Sequence, residues 1–231
     1  MSATLLAAHG DELLDHPDAD PAAVRLSLHH IARANWWFGG WWAVRHGLAT
    51  LLGGAPRGAL TVLDVGCGGG DLMARAAAWG RARGHLLRPV GLERHRAAAA
   101  LARQGGLPSL LACAGALPLR ARSVDLVVAS QLLHHFAPPA IIEFCRAADR
   151  VARIGVVIAD LRRSRLAQAG FWVGSRALGF DAATRADGIT SVQRGFTADG
   201  LRGLLAEAGL AARVERTPGF RLVATWPAAR G

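Results

Sequence analysis

The run Val62-Leu63-Asp64-Val65-Gly66-Cys67-Gly68-Gly69-Gly70-Asp71 places a glycine loop between two carboxylates. Glycines at a strand-to-helix turn let the main chain approach a ligand closely. A dinucleotide fingerprint would need a third glycine where Asp71 stands, and an acid there repels a pyrophosphate at the helix N-terminus. No GK[ST] follows, which excludes a phosphate-cradling loop of the P-loop type. The loop therefore calls for a ligand without phosphates, with room for two carboxylates close by. Glu93 closes a second apolar run. His134 and His135 follow a further apolar run, where an imidazole can remove a hydroxyl proton. His29 and His30 on an N-terminal helix are rival bases. Cys67, Cys113 and Cys145 show no CxxC spacing, so neither a disulfide framework nor a zinc site is signalled. No carboxylate pattern for a metal stands out, and no metal is expected. Cys113 has no evident partner and reads as packing rather than as a nucleophile.

These residues need elements to hold them. Asp20-Pro21 marks a helix start, and the helix runs to about Asn35 with Val24, Leu28 and Ile31 on one side. A second helix follows Gly39-Gly40 and ends at Gly53-Gly54-Ala55-Pro56. Strands are expected over 60–64, 88–93, 110–113, 124–130 and 154–160, alternating with helices over 71–83, 94–104 and 138–151. That alternation means a parallel sheet covered on both faces. A helix capped by Thr197 precedes two strands, 211–217 and 220–226, whose short connection at Pro218-Gly219 forces antiparallel pairing.

Leu63-Asp64-Val65-Gly66-Cys67-Gly68-Gly69-Gly70 resembles the first motif of the class I S-adenosyl-L-methionine (SAM)-dependent methyltransferases. Gly91-Leu92-Glu93 resembles the end of their second strand. Ala116-Leu117-Pro118-Leu119, Ser123 to Ser130 and Leu132-Leu133-His134-His135-Phe136 resemble their third and fourth strand region. The resemblance covers about residues 58 to 227. Its flavour is that of the ubiquinone and menaquinone branch, and of small methyltransferases of phenolic polyketides. It implies SAM as cofactor, with contacts from Asp64, Gly66, Cys67, Gly68, Asp71, Glu93, Arg94, Cys113, Ala114, Gly115, Ser130 and Gln131. Glu93 would grip the ribose hydroxyls. The family usually carries an acid where Cys113 stands; cysteine is a poor acceptor, so the adenine would rest on backbone near Ala114 and Gly115. Asn35 and Arg45 are added as lid contacts to SAM, Arg45 for its carboxylate.

The implied fold is α/β: a Rossmann-like, seven-stranded, mostly parallel sheet with its last two strands antiparallel. Residues 1–57 would form an acidic, loosely held tail and a helical lid. Residues 58–231 would form the SAM-binding domain, with a substrate-cap insertion at 161–196. The acceptor pocket is expected from Trp36, Trp37, Trp41, Phe171, Trp172 and Arg162. The implied activity is methyl transfer to an apolar, aromatic small molecule, a phenol, quinol or polyketide-derived compound, with His134 or His135 as base and His30 in reserve. The histidines favour O-methylation. A fold repurposed for another SAM-dependent reaction, or a SAM-binding module without turnover, is the alternative.

Composition narrows the partners. The 231 residues carry a net charge of +10, and all 27 basic residues are arginine. Lysine and tyrosine are absent, the usage of a GC-rich bacterial genome. The arginines are scattered and lack aromatic interleaving, so no nucleic-acid partner is expected despite the charge. The acidic N-terminus lacks a secretory n-region, and no run is apolar enough to span a membrane. A cytoplasmic monomer or homodimer is expected.

Overall fold

The computed structural model describes residues 12–16, 18–55 and 57–229. Most of the expected acidic tail, residues 1–11, and Pro56 lie outside the described residues. Helix α1 (Pro21–Trp37) starts as its sequence dictates: the Asp20 carboxylate accepts the Ala23 N–H at 2.9 Å, and Pro21 takes the first helical position. Helix α2 (Gly40–Leu52) follows through Gly39, whose φ is +84°.

Five strands then run parallel: β1 (Gly58–Val65), β2 (His85–Glu93), β3 (Ser109–Leu111), β4 (Val124–Ser130) and β5 (Ala152–Leu161). Helices α3 (Asp71–Arg81), α4 (Arg96–Gln104) and α5 (Pro138–Val151) connect them. Two helices, α6 (Arg165–Ala177) and α7 (Ala182–Arg194), are inserted after β5. Helix α8 (Ala198–Glu207) leads into β6 (Arg213–Thr217) and β7 (Arg221–Pro227), which pair antiparallel. Strand order is β3-β2-β1-β4-β5-β7-β6, with β7 antiparallel to β5. The expected seven-stranded architecture is present. β2 begins earlier than its apolar run suggested, and β3 ends before Cys113.

The central strands are apolar on both faces because both are covered. One core layer holds Leu63, Val65, Val127, Val156 and Ile158 against Ile141, Phe144 and Leu201. The other holds Val62, Leu126, Val128 and Val157 against Val44, Leu48 and Met73. α1 packs Val24 and Leu28 on Ala98 of α4 and so crosses the carboxyl edge of the sheet. Among the described residues, no helix is long and apolar enough to cross a membrane.

The turn between α1 and α2 is docked on the β6–β7 hairpin. A Cβ on Gly39 would collide with the Pro218 carbonyl oxygen, and one on Gly219 would lie 2.5 Å from the Phe38 carbonyl oxygen. Gly39→Ala combines this collision with a positive φ, and is expected to destabilise the fold by about 2–4 kcal/mol. Thermal denaturation should show a clearly lowered midpoint; an unchanged midpoint would mean that the lid turn is not clamped.

Candidate active site

The chain runs from β1 outward to β2 and β3, then crosses back to β4 on the other side of β1. At such a reversal the loops after β1 and β4 diverge and leave a crevice at the carboxyl edge. A cavity of about 300 Å³ lies there. α1 closes one side, and the α6–α7 insertion closes another.

One half of the cavity is acidic. Asp64 ends β1, Asp71 opens α3, and Glu93 ends β2; all three line it. Burial, then the neighbouring charges of Asp71 and Glu93, push the Asp64 carboxyl up to about 8. Burial also raises Asp71, against the pull of Asn35 and Arg75. The Glu93 carboxylate accepts the Gly68 N–H at 3.0 Å and the His95 N–H at 2.9 Å. Each oxygen keeps a further lone pair. Asn35 donates to Asp71 at 3.2 Å and accepts from the Gln131 side chain at 2.6 Å. This chain ties the lid to the glycine loop and to the exit of β4. Gln131 sits there at φ +52°, a strained conformation for a residue with a side chain.

The other half is mixed. Leu14, Ile31, Phe171, Phe180 and Val192 give it an apolar wall. Against them stand His134 and His135, in the short 3-10 turn Leu133–His135 after β4. His134 Nδ1 lies 2.7 Å from Asp160 Oδ1, at the end of β5. Asp160 is fully buried and also accepts the Leu133 and Leu161 N–H groups. Its burial opposes ionisation, yet the charge and hydrogen bond of His134 and the backbone donor hold the carboxyl below its ordinary range. Since a carboxylate only accepts, the proton in this hydrogen bond is on Nδ1 of His134, and whenever the ring is neutral Nε2 presents its lone pair. Among the described residues, that Nε2 has no hydrogen-bond partner.

Residues that sequence reasoning treated as a loose tail complete the site. Glu12 and the turn Leu13–Asp15 form a strap across it. The Leu13 N–H donates to Asp187 at 3.1 Å, Ser191 donates to Glu12 at 2.9 Å, and Arg94 donates to the Leu14 carbonyl at 2.8 Å. His135 Nδ1 meets Asp15 Oδ1 at 3.0 Å, and Arg194 reaches both Glu12 and Asp15. Burial pushes Glu12 up. Asp15, though also partly buried, is held well below the usual carboxylate range by His135 and Arg194. Arg221 of β7, buried at the cavity wall, donates to the Phe38 carbonyl at 2.9 Å; burial pulls its guanidinium down to about 10.

Of the expected SAM contacts, Asn35, Asp64, Gly66, Cys67, Gly68, Asp71, Glu93, Arg94, Cys113, Ala114, Ser130 and Gln131 all line this cavity. Gly115 and Arg45 do not; Arg45 stacks its guanidinium over Trp42 at 4.2 Å. Most of the expected acceptor wall is elsewhere. Trp36 and Trp37 are exposed, with Arg75 over Trp36; Trp172 is exposed under Arg176; Trp41 is buried in the core beside Val44 and Leu48. Arg162 stacks on Phe220. Only Phe171 of that set faces the cavity. His30 is not among the residues lining the cavity: its Nδ1 meets Asp181 at 2.9 Å and its ring stacks on Phe180, joining α1 to α7.

The fold has counterparts among known proteins. Residues 62–155 match the family model described as "Methyltransferase domain". The structure also superposes on a SAM-dependent methyltransferase from Aquifex aeolicus with a TM-score of 0.62 at 15% identity, covering 91% of this chain and 99% of that one. The chain has the methyltransferase fold. The plantazolicin methyltransferase BpumL, solved with SAH, superposes with a TM-score of 0.69 at 12% identity, covering 98% of this chain and 97% of that one. Human N-acetylserotonin methyltransferase, solved with SAM, superposes with a TM-score of 0.66 at 11% identity, covering 95% of this chain and 60% of that one. No curated protein sequence matches.

Proposed function

We propose that this protein binds SAM and transfers its methyl group to a hydroxyl oxygen of an apolar, aromatic small molecule such as a phenol or quinol. One observation carries the cofactor reading: Asp64, Asp71 and Glu93 converge on a glycine loop at the sheet's reversal point. Three carboxylates around one glycine loop, Asp71 of them at the helix N-terminus, oppose a phosphate and suit a ligand with an ammonium, a sulfonium and a ribose diol. Glu93 would hold the diol, Asp64 and Asp71 the cationic side, and the loop amides the amino-acid end.

Methyl transfer is an in-line displacement at a carbon already activated by the sulfonium. The protein supplies alignment, an apolar and water-poor chamber, and a base. His134 suits the last role. Asp160 fixes its ring and proton, and Nε2 takes the hydroxyl proton as the oxygen attacks the methyl carbon and the C–S electrons return to sulfur. Phe171, Phe180 and Val192 would hold the acceptor ring.

Calorimetric titration with SAM, and separately with SAH, tests the cofactor. The sign of the proton linkage follows from Asp64. Raised to about 8, its carboxyl is mostly protonated at pH 7 in the empty site. A cationic ligand favours the carboxylate, so binding should release a proton. The apparent heat at pH 7 is then expected to vary with the ionisation enthalpy of the buffer. Absence of binding by either compound would reduce the reading to one of fold alone.

A further inference from the structure

Glu12, His134 and His135 bring one ligand atom each to within 4.8 Å of one another. His134 Nε2 lies 4.0 Å from Glu12 Oε1, and His135 Nε2 lies 3.9 Å from Glu12 Oε2. Both imidazoles point the same ring atom inward, and both hand the other to a carboxylate: Nδ1 of His134 to Asp160, Nδ1 of His135 to Asp15. A carboxylate behind Nδ1 fixes the tautomer, orients the ring and raises the basicity of Nε2, which is how metal-bound histidines are usually supported. The side chain of His134 is 2% exposed, and its Nε2 has no hydrogen-bond partner among the described residues. Such an orphaned acceptor in a buried site normally has a partner to meet.

We propose that Glu12, His134 and His135 form a binding site for a divalent first-row transition ion of borderline softness, with Zn²⁺ as the best fit. Two imidazoles and one carboxylate suit such an ion better than Mg²⁺ or Ca²⁺, which prefer oxygen donors throughout. A tetrahedral ion at about 2.0–2.2 Å from its ligands needs them about 3.3 Å apart. Ligand atoms now within 4.8 Å would close by up to about 1.5 Å, through rotation of both imidazoles and of the Glu12 carboxylate that Ser191 and Arg194 now hold. The fourth position opens on the cavity that all three residues line. Formal charge agrees in sign: Glu12, Asp15, Asp160 and Asp187 against Arg94, Arg194 and Arg221 leave the cluster with one negative charge facing a dication. No single stretch of sequence shows the site, because its carboxylate comes from the strap and its histidines from the turn after β4. The ion site stands on this geometry alone. One consequence rests on the methyltransferase reading: Nε2 of His134 cannot ligate an ion and accept a proton together, so occupancy is expected to inhibit transfer.

Co²⁺ is the probe, added to the purified, chelator-treated full chain and followed by its visible absorption. The expected result is one Co²⁺ per chain with the intense bands of low coordination, displaced by Zn²⁺. His134→Ala or His135→Ala should weaken binding by about 100-fold or more, and Asp160→Asn by about 10–100-fold. Glu12→Gln is nearly isosteric and serves should a histidine variant fail to fold; it too should lose the bands. No low-coordination spectrum, or one that survives all the substitutions, overturns the proposal. SAM calorimetry on the same sample reports separately on the cofactor reading, so failure of one leaves the other standing.

Discussion

Glu93→Ala is expected to weaken SAM binding by about 100- to 10,000-fold. A carboxylate that accepts from two ribose hydroxyls makes two charge-assisted hydrogen bonds, each worth about 1.5–3 kcal/mol, and about 1.4 kcal/mol is a factor of ten in affinity. Glu93 also holds the Gly68 and His95 N–H groups. Its loss therefore leaves the glycine loop less well placed as well. Glu93→Gln keeps one acceptor oxygen per amide and should fall between the two, about tenfold weaker than the wild type. The fold should survive, because the hydrophobic layers of the sheet lie elsewhere. Calorimetry with SAM decides: an unchanged dissociation constant for Glu93→Ala would remove the ribose assignment.

The features behind that prediction were legible in sequence because each is local. Buried parallel strands write themselves as short apolar runs, so 124–130 and 154–160 can be read directly. A glycine loop between Val65 and Asp71 and an acid ending the next strand are also short-range signals. The antiparallel pair is dictated by the brevity of the connection at Pro218-Gly219. What could not be read is the set of contacts between distant segments. Glu12 meets Ser191 and Arg194, and Asp15 meets His135, across most of the chain. In the sequence, Glu12 and Asp15 are only two of several acids near the N-terminus, and nothing local distinguishes a strap from a tail.

The tryptophans lie away from the cavity for a different reason. Their density suggested a pocket, but helical geometry argues otherwise. Val24, Leu28, Ile31 and Asn35 follow one face of α1. Trp36 and Trp37 lie about 100° and 200° further round, on the faces turned away from it. Trp37 is 64% exposed as a result. The periodicity was present in the sequence and outweighs composition. Asp160 could also have been found: an acid at the carboxyl end of an apolar strand is placed where ligands bind in such sheets. Its partner His134 was recognised without it, and only the folded structure joins the two.

That pairing carries the second large effect. His134→Ala is expected to lower kcat with a phenolic acceptor by about 10²–10⁴-fold, the range for loss of a positioned base. SAM affinity should stay within about twofold, since the acidic half of the cavity is untouched. Asp160→Asn tests the dyad more sharply. An asparagine that presents its amide to Nδ1 stabilises the opposite tautomer and puts the proton on Nε2, where it blocks proton acceptance. The rate should fall although His134 is still present. Asp160 also receives the Leu133 and Leu161 N–H groups, so thermal denaturation must accompany the kinetics. Added imidazole should partly restore His134→Ala, which leaves a space of the right size beside Asp160, and should not restore Asp160→Asn, whose ring remains in place. His135→Ala gives the contrast. Its Nδ1 is held by Asp15 on the strap rather than by a buried strand end, and it is expected to cost less than His134→Ala. If His134→Ala and His135→Ala both keep full rate, neither histidine takes the proton. The cavity would then act by alignment alone, on an acceptor that arrives already ionised.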